Sequence, residues 1–439
     1  MKEQSNIPTS KIQRASRFVR TGAKVGGNYL KYYARKSVNS GTSRDDLHND
    51  NAEDIYDSLS QLKGSALKVL QMMSMDRNLL PTAYTDRFSM AQYSAPPLSY
   101  PLVVKTFQKH FGKSPNELFD TFSKNAKNAA SIGQVHEATL DGKKLAVKIQ
   151  YPGVGDSVSS DLKIVKPFAV RILNINSKDL ELYMGEVEEK LLEETDYELE
   201  LSRSVEISEQ CSHIDNLFFP NYYPEFSSDR VITMDWLDGF HLKEFVAENP
   251  SQEIRDKIGQ ALWDFYDHQI HTLKQVHADP HPGNFLMRYD GTMGVIDFGC
   301  VKVLPEDFYQ KYFKLLSSDL LVNEDELNEI FFALNFLNNQ DTAQQRKLFT
   351  GIFKEMIQML GKPFQKETFD FSNDEYFEEI YALSDKIARM EEVRNSKSAR
   401  GPKDALYINR TYFGLYSMLN ELGARVTTRK PEWLKSATV

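Results

Sequence analysis

The stretch HADPHPGNFLMRYDGTMGVIDFG, His277 to Gly299, constrains this chain more than any other. Asp279, four intervening residues and Asn284 place a carboxylate and an amide on one short loop. Phe285, Leu286 and Met287 read as a strand, Asp290-Gly291 as its turn and Val295-Ile296 as the returning strand. Asp297 therefore comes back beside the loop. A carboxylate in such a place accepts a proton, and an amide oxygen with a second carboxylate supplies the hard oxygen donors that Mg2+ takes. The hairpin is expected to bring one base, Asp279, and two metal ligands, Asn284 and Asp297, to one point, with ATP supplying the remaining oxygens. His277 and His281 lack a third soft ligand nearby, so they read as braces of the loop rather than zinc ligands.

The rest of the chain must fold around that point. Its 439 residues, 41% hydrophobic and 26% charged, suffice for a large core divided into two or three subdomains. A formal net charge of -9 argues against a nucleic-acid partner, which needs a basic surface. Cys211 and Cys300 are the only cysteines and make no disulfide framework, which fits a reducing compartment. No apolar run is long enough to span a bilayer, and no secretory leader is expected at the amino terminus. Residues 11–36 carry eight Lys or Arg and no acid. That inversion of charge has two readings: a basic helix lying on an anionic membrane surface, or a solvated basic tail or helix against an acidic face. Cytoplasmic localisation, with peripheral membrane attachment, is the expectation.

Periodicity organises the remainder. Residues 40–53, SGTSRDDLHNDNAE, read as a polar linker. From Asp54 to Met75, Ile55, Leu59, Leu62, Ala66, Leu70 and Met73 recur at helical steps, and another helix is expected near residues 101–111. SIGQVHEATL and KKLAVKIQY read as strands joined by Asp141-Gly142. Residues 179–213 return to an acidic helical pattern, and RVITMDWLDG reads as a strand carrying Met234. Beyond it lies a mainly helical region with the opening hairpin embedded in it, including an amphipathic segment from Leu348 to Leu360 closed by Gly361 and Pro363.

Lys148, in LAVKIQ, projects a cation from a rigid strand. About fifty residues later comes the acidic helix EKLLEETDYELE, one of whose carboxylates can hold the ammonium while it grips α- and β-phosphate oxygens. Strand lysine, helix glutamate, linking strand, Asp-loop-Asn and DFG follow in the order and spacing of a kinase. No glycine-rich GxGxxG precedes Lys148. KNAASIGQV stands there instead, and the Cβ atoms of Ala129 and Ala130 limit close phosphate approach. After DFG the chain reaches LPED within a few residues, leaving little room for a peptide platform.

Taken with LKGSALKVLQMMS, NAASIGQVHEA, LAVKIQYPGV, ETDYELE and MDWLDG, these motifs resemble the AarF/UbiB family of atypical, protein-kinase-like proteins over residues 54–305. The resemblance implies an α+β, protein-kinase-like bilobal fold: a basic segment and linker (1–53), a helical extension (54–127), a small β-rich N-lobe with an inserted acidic helix (128–238) and a helical C-lobe (239–439). The family's KxGQ helix maps onto Lys68 and Gln71, with Leu70 replacing the glycine. Its ExD pair, which holds the signature lysine, maps onto Glu194 and Asp196, and the partner of Lys148 falls at Glu200. The alanine-rich loop maps onto Asn128, Ala129, Ala130 and Ser131, and Met234 is expected against the nucleotide. The implied cofactors are ATP or ADP and Mg2+. The implied activity is an ATPase or atypical kinase handling isoprenoid lipids or quinone precursors at a membrane, with a homodimer or membrane-associated biosynthetic proteins as partners. A nucleotide-gated scaffold and a small-molecule phosphotransferase are the competing readings.

Overall fold

The computed structural model describes residues 24, 26–28, 31, 32, 34, 44–60, 97–129, 132–173, 177–394 and 400–429. The chain divides into two compact units, residues 1–202 with 221–236, and residues 203–220 with 237–439.

The first unit is built on a twisted antiparallel sheet. Strands β1 (Thr121–Phe122) and β2 (Asn128–Ala129) both pair with β3 (Gly133–Leu140), which pairs with β4 (Lys143–Gln150). Strand β6 (Val231–Asp235) closes the far edge of β4. The β3–β4 hairpin turns on Asp141 and Gly142 at φ 51° and 76°, the left-handed pair that a two-residue hairpin requires. Alternation along β4 sends Leu145, Val147 and Ile149 into an apolar core with Val103, Phe107, Phe119 and Phe122. The opposite face carries Ala146, Lys148 and Gln150, all buried. Val103 and Phe107 come from helix α2 (Tyr100–Phe111), capped by Gly112 at φ 67°.

Helix α1 (Arg44–Ser60) corrects the reading of residues 40–53 as a linker, since the helix begins at Arg44. Its buried positions Leu47, Asn51 and Ile55 recur every four residues, with Ala52 and Tyr56 alongside. The stripe includes a polar Asn51, so composition concealed a helical period. Residues 61–75 of the expected helix lie outside the described residues, as do most of residues 11–36. Helix α3 (Val154–Leu173) was not anticipated; α4 (Ser177–Glu194) and α5 (Tyr197–Gln210) form the acidic helical stretch.

The second unit is mainly helical. Helix α6 (Leu242–Ala247) precedes its central α7 (Gln252–His268), whose N-cap Ser251 accepts from the Ile254 N–H and which buries Ile258, Leu262, Trp263, Phe265 and Tyr266. A π-helical turn, Gln269–Leu273, follows and ends on Lys274 at φ 54°. The chain then enters β7 (Gln275–His277), antiparallel to β10 (Val301–Val303). Between them lie the hairpin β8 (Phe285–Met287) and β9 (Met293–Val295), with β5 (Leu217–Phe218) running parallel to β9. After Pro305 come α8 (Glu306–Lys314), α9 (Glu324–Ala333) and α10 (Ala343–Leu360). Strand β11 (Thr368–Asp370), α11 (Asp374–Arg389), α12 (Lys403–Leu422) and β12 (Arg425–Thr427) complete the unit. Trp263 stacks parallel to Tyr416 of α12 at 6.3 Å and touches Phe364 and Phe371, so the C-terminal residues share one core with α7. Among the described residues no helix is long and apolar enough to cross a membrane.

Candidate functional site

In the first unit, the polar face of β4 organises the start of α5. Gln150 Nε2 donates to the Thr195 carbonyl at 2.9 Å, and Arg230 Nη1 reaches the same oxygen at 3.3 Å while also donating to the Gln150 amide oxygen. Asp196 Oδ1 then accepts the Leu199 N–H at 3.0 Å, capping the helix. One turn in, Glu200 Oε1 lies 2.6 Å from Lys148 Nζ, with the two side chains 5% and 9% exposed. Two charges so nearly excluded from water are stable there only because they are paired. The Tyr197 ring, 5.3 Å from the same ammonium, walls the pair in. No side chain larger than hydrogen fits at Gly133, where a Cβ would meet the Ile149 carbonyl at 2.4 Å and the Tyr197 hydroxyl at 2.9 Å.

The other expected residues of this unit fall as follows. Met234 is buried on β6 and pairs with Ala146, while its neighbour Ile232 pairs with Lys148. Cross-strand partners share a face, so the register puts Met234 on the lysine side of the sheet. Asn128 and Ala129 form the short β2 against Val135 and Gln134 rather than an irregular loop. Glu194 ends α4, half-buried, and Asp196 is exposed in its capping position. Lys68, Gln71, Ala130 and Ser131 lie outside the described residues.

In the second unit, the β7–β10 ladder carries the loop that begins at Ala278, whose N–H donates to the Cys300 carbonyl at 2.8 Å. The His281 N–H donates to the Asp279 carbonyl at 2.7 Å, and His281 Nδ1 accepts the Gly283 N–H at 3.0 Å, so this histidine braces the loop. His277 is fully buried, with Nδ1 3.4 Å from the Tyr266 hydroxyl. Asn284 joins three segments. Its Nδ2 donates to the Asp279 carbonyl at 3.0 Å, and its own carbonyl accepts the Ile296 N–H at 3.1 Å, next to Asp297. Asp297 Oδ1 accepts the Gly299 N–H at 2.8 Å, which fixes the carboxylate in the turn. Phe298, between them, is fully buried, with Phe219, Phe265 and His277 within 6.3 Å of its ring.

Asp279, Asn284 and Asp297 are thus tied together by backbone and amide hydrogen bonds. With Asn284 Nδ2 committed to the Asp279 carbonyl, its Oδ1 and the Asp297 carboxylate are the hard oxygens of this group that could hold a cation. Two protein oxygens suit Mg2+, which keeps waters and takes phosphate oxygens for the rest of its octahedron.

One contact had no signal in the sequence. Arg410 Nη2, on α12, lies 3.2 Å from Asp279 Oδ1, with the side chains 26% and 16% exposed. The residues are 131 positions apart, and INRTYFG reads as ordinary helix.

The ABC1 atypical kinase-like domain matches residues 90–331. The yeast Saccharomyces cerevisiae protein named atypical kinase COQ8, mitochondrial, is 29% identical over 97% of this chain and 85% of its own length. AarF domain-containing protein kinase 1 of Xenopus laevis is 28% identical over 72% of this chain and 63% of its own. Among solved structures, the Rv3197–erythromycin complex from Mycobacterium tuberculosis superposes with a TM-score of 0.59 at 25% identity, covering 90% of this chain and 97% of that one.

Proposed function

Since this chain belongs to the ABC1 atypical kinase-like family, we propose that it is a Mg2+- and ATP-dependent kinase-like ATPase whose activity serves isoprenoid lipid or quinone synthesis at a membrane. The observation that carries this reading is the hydrogen-bonded joining of Asp279, Asn284 and the turn holding Asp297. The buried Lys148–Glu200 pair supports it independently.

The roles follow from the chemistry of each group. Lys148, aimed by Glu200 and Tyr197, binds phosphate oxygens with its ammonium. Asn284 and Asp297 would hold Mg2+, which when bound neutralises charge on the phosphates. Asp279 orients the acceptor hydroxyl or water and takes its proton. Two features weigh against a protein acceptor: only residues 300–305 separate the DFG turn from α8, which leaves no room for an activation segment, and no glycine-rich loop precedes Lys148. The isoprenoid assignment rests on the family resemblance of the motifs and is the finer part of the proposal.

Phosphate release from ATP by the purified chain, with vesicles containing an isoprenoid quinone precursor or without, tests both parts. Asp279→Asn should lower turnover by about a hundredfold or more while leaving nucleotide affinity within about threefold. Tight nucleotide binding with no release under any lipid condition would point instead to a scaffold. Release indifferent to the vesicles' contents would remove the lipid assignment alone.

A further inference from the structure

The domain shared with the family ends at residue 331, yet the loop carrying Asp279 is held from outside it. Helix α12 presents two residues to that loop, Arg410 and Gly414. They stand four apart and therefore on one face. Arg410 Nη2 donates to Asp279 Oδ1 at 3.2 Å. A Cβ built on Gly414 would lie 2.4 Å from Pro280 Cγ, 2.6 Å from Pro280 Cβ and 2.9 Å from the Pro280 carbonyl oxygen. The helix backbone thus approaches the loop at the residue next to Asp279 as closely as only glycine permits.

The helix is itself firmly seated. Ile408, Leu415 and Leu419 are buried in the core of the second unit, and the Tyr312 hydroxyl of α8 donates to the Asn409 amide oxygen, one residue before Arg410. A guanidinium delivered from so fixed an element holds a carboxylate oxygen in one place. A carboxylate meant to accept a proton from an acceptor gains from that, because a misplacement of about an ångström costs on the order of a hundredfold in rate.

We propose that Arg410 is a positioning residue for Asp279, and that α12 completes the catalytic loop through the Arg410–Asp279 hydrogen bond and the Gly414–Pro280 contact. The inference rests on the nucleotide reading above and adds to it the residue that sets the geometry of the base. It assigns Arg410 to the chemical step and not to nucleotide binding.

The test compares ATP turnover by the full chain with turnover by Arg410→Gln, Arg410→Lys and Gly414→Ala, alongside thermal unfolding of each. Arg410→Gln should lower kcat by about ten- to a hundredfold, the loss expected for one charge-assisted hydrogen bond, with KM for ATP within about twofold of the parent. Arg410→Lys, which keeps a cation but not the fork, should recover part of that loss. Gly414→Ala should lower kcat in the same direction by displacing Pro280. Turnover by Arg410→Gln equal to or above the parent's overturns the proposal alone. So does a loss that Arg410→Lys does not relieve and that follows the unfolding temperature, since that is the signature of a purely structural ion pair. A parent chain that hydrolyses no ATP overturns the ATPase reading and this proposal with it.

Discussion

Lys148 and Glu200 show what a single pair of residues commits the chain to. Their atoms are 2.6 Å apart and almost wholly excluded from water, so removing one charge strands the other. Lys148→Met should destabilise the first unit by about 3–5 kcal/mol in urea unfolding. The double variant Lys148→Met with Glu200→Leu should return to within about 1 kcal/mol of the parent, yet bind no nucleotide. Recovery of binding along with stability would show that the lysine serves the fold alone. At this scale the sequence was most readable where chemistry dictates residue type. Lys148, Asn284 and Asp297 stand out together, because each is weak alone and the order and spacing of the whole series is that of a kinase. Glu200 came only through family resemblance, because EETDYELE holds several carboxylates and nothing local says which one turns inward. Asp196, expected with Glu194 to hold Lys68, which lies outside the described residues, caps α5 through the Leu199 N–H, a use open to any aspartate before a helix.

Among the elements, the π-helical turn Gln269–Leu273, which precedes the Asp279 loop, carries a buried titratable group. His271 Nδ1 is 2.9 Å from the Tyr309 hydroxyl of α8, Nε2 is 3.3 Å from the Tyr412 hydroxyl of α12, and the Phe313 ring lies edge-on at 4.7 Å. Burial, and then the Lys274 ammonium, push the imidazole down to about 3. The Asp267 carboxylate stands 3.9 Å from Nε2. The folded value lies below the ordinary 6.5, so between the two the unfolded chain binds more protons and stability falls as pH drops. Above that window His271 contributes no pH dependence. His271→Gln should therefore flatten the acid limb of urea midpoints measured from about pH 7 to about pH 4; an unchanged slope would assign the acid sensitivity elsewhere. Elements were legible where one face alternates cleanly. The β3–β4 hairpin followed from Asp141-Gly142 between alternating strands, and the β8–β9 hairpin from Asp290-Gly291. Residues 44–53 of helix α1 were not, because Asn51 interrupts its apolar stripe, and α3 was not, because it directly follows a strand and turn without a distinguishing cap. Nor was the pairing of α12 with the catalytic loop, since neither Arg410 nor Gly414 is unusual within a helix.

At the scale of the molecule, the second unit does not end where the shared domain ends. Trp263 of α7 packs on Phe364, Phe371 and Tyr416, and the core continues through Leu419 and Val426. Gly259 is met by Ala424 so closely that a Cβ there would lie 2.4 Å from it. Each large apolar side chain removed from water contributes about 1.5–3 kcal/mol, whereas a domain's net stability is about 5–15 kcal/mol. A chain truncated after residue 331 should accordingly lose the fixed aromatic packing of the second unit, seen as loss of near-ultraviolet circular dichroism. A truncated chain with the full near-ultraviolet signal would mean that the residues after 331 are dispensable to the core. The kinase-like α+β architecture was readable from the order of motifs; that α10, α12 and β12 belong to the same core was not, because amphipathic helices announce that they pack and not against what.

Asn284 and Asp297 are proposed to hold a magnesium ion for a bound nucleotide. Titration of the purified full chain with fluorescent ATP, with and without Mg2+, tests it most directly, alongside Asp297→Asn. Mg2+ should tighten binding to the parent by about tenfold or more and should not tighten binding to the variant. Equal tightening in both, or nucleotide affinity indifferent to Mg2+ in the parent, would contradict it.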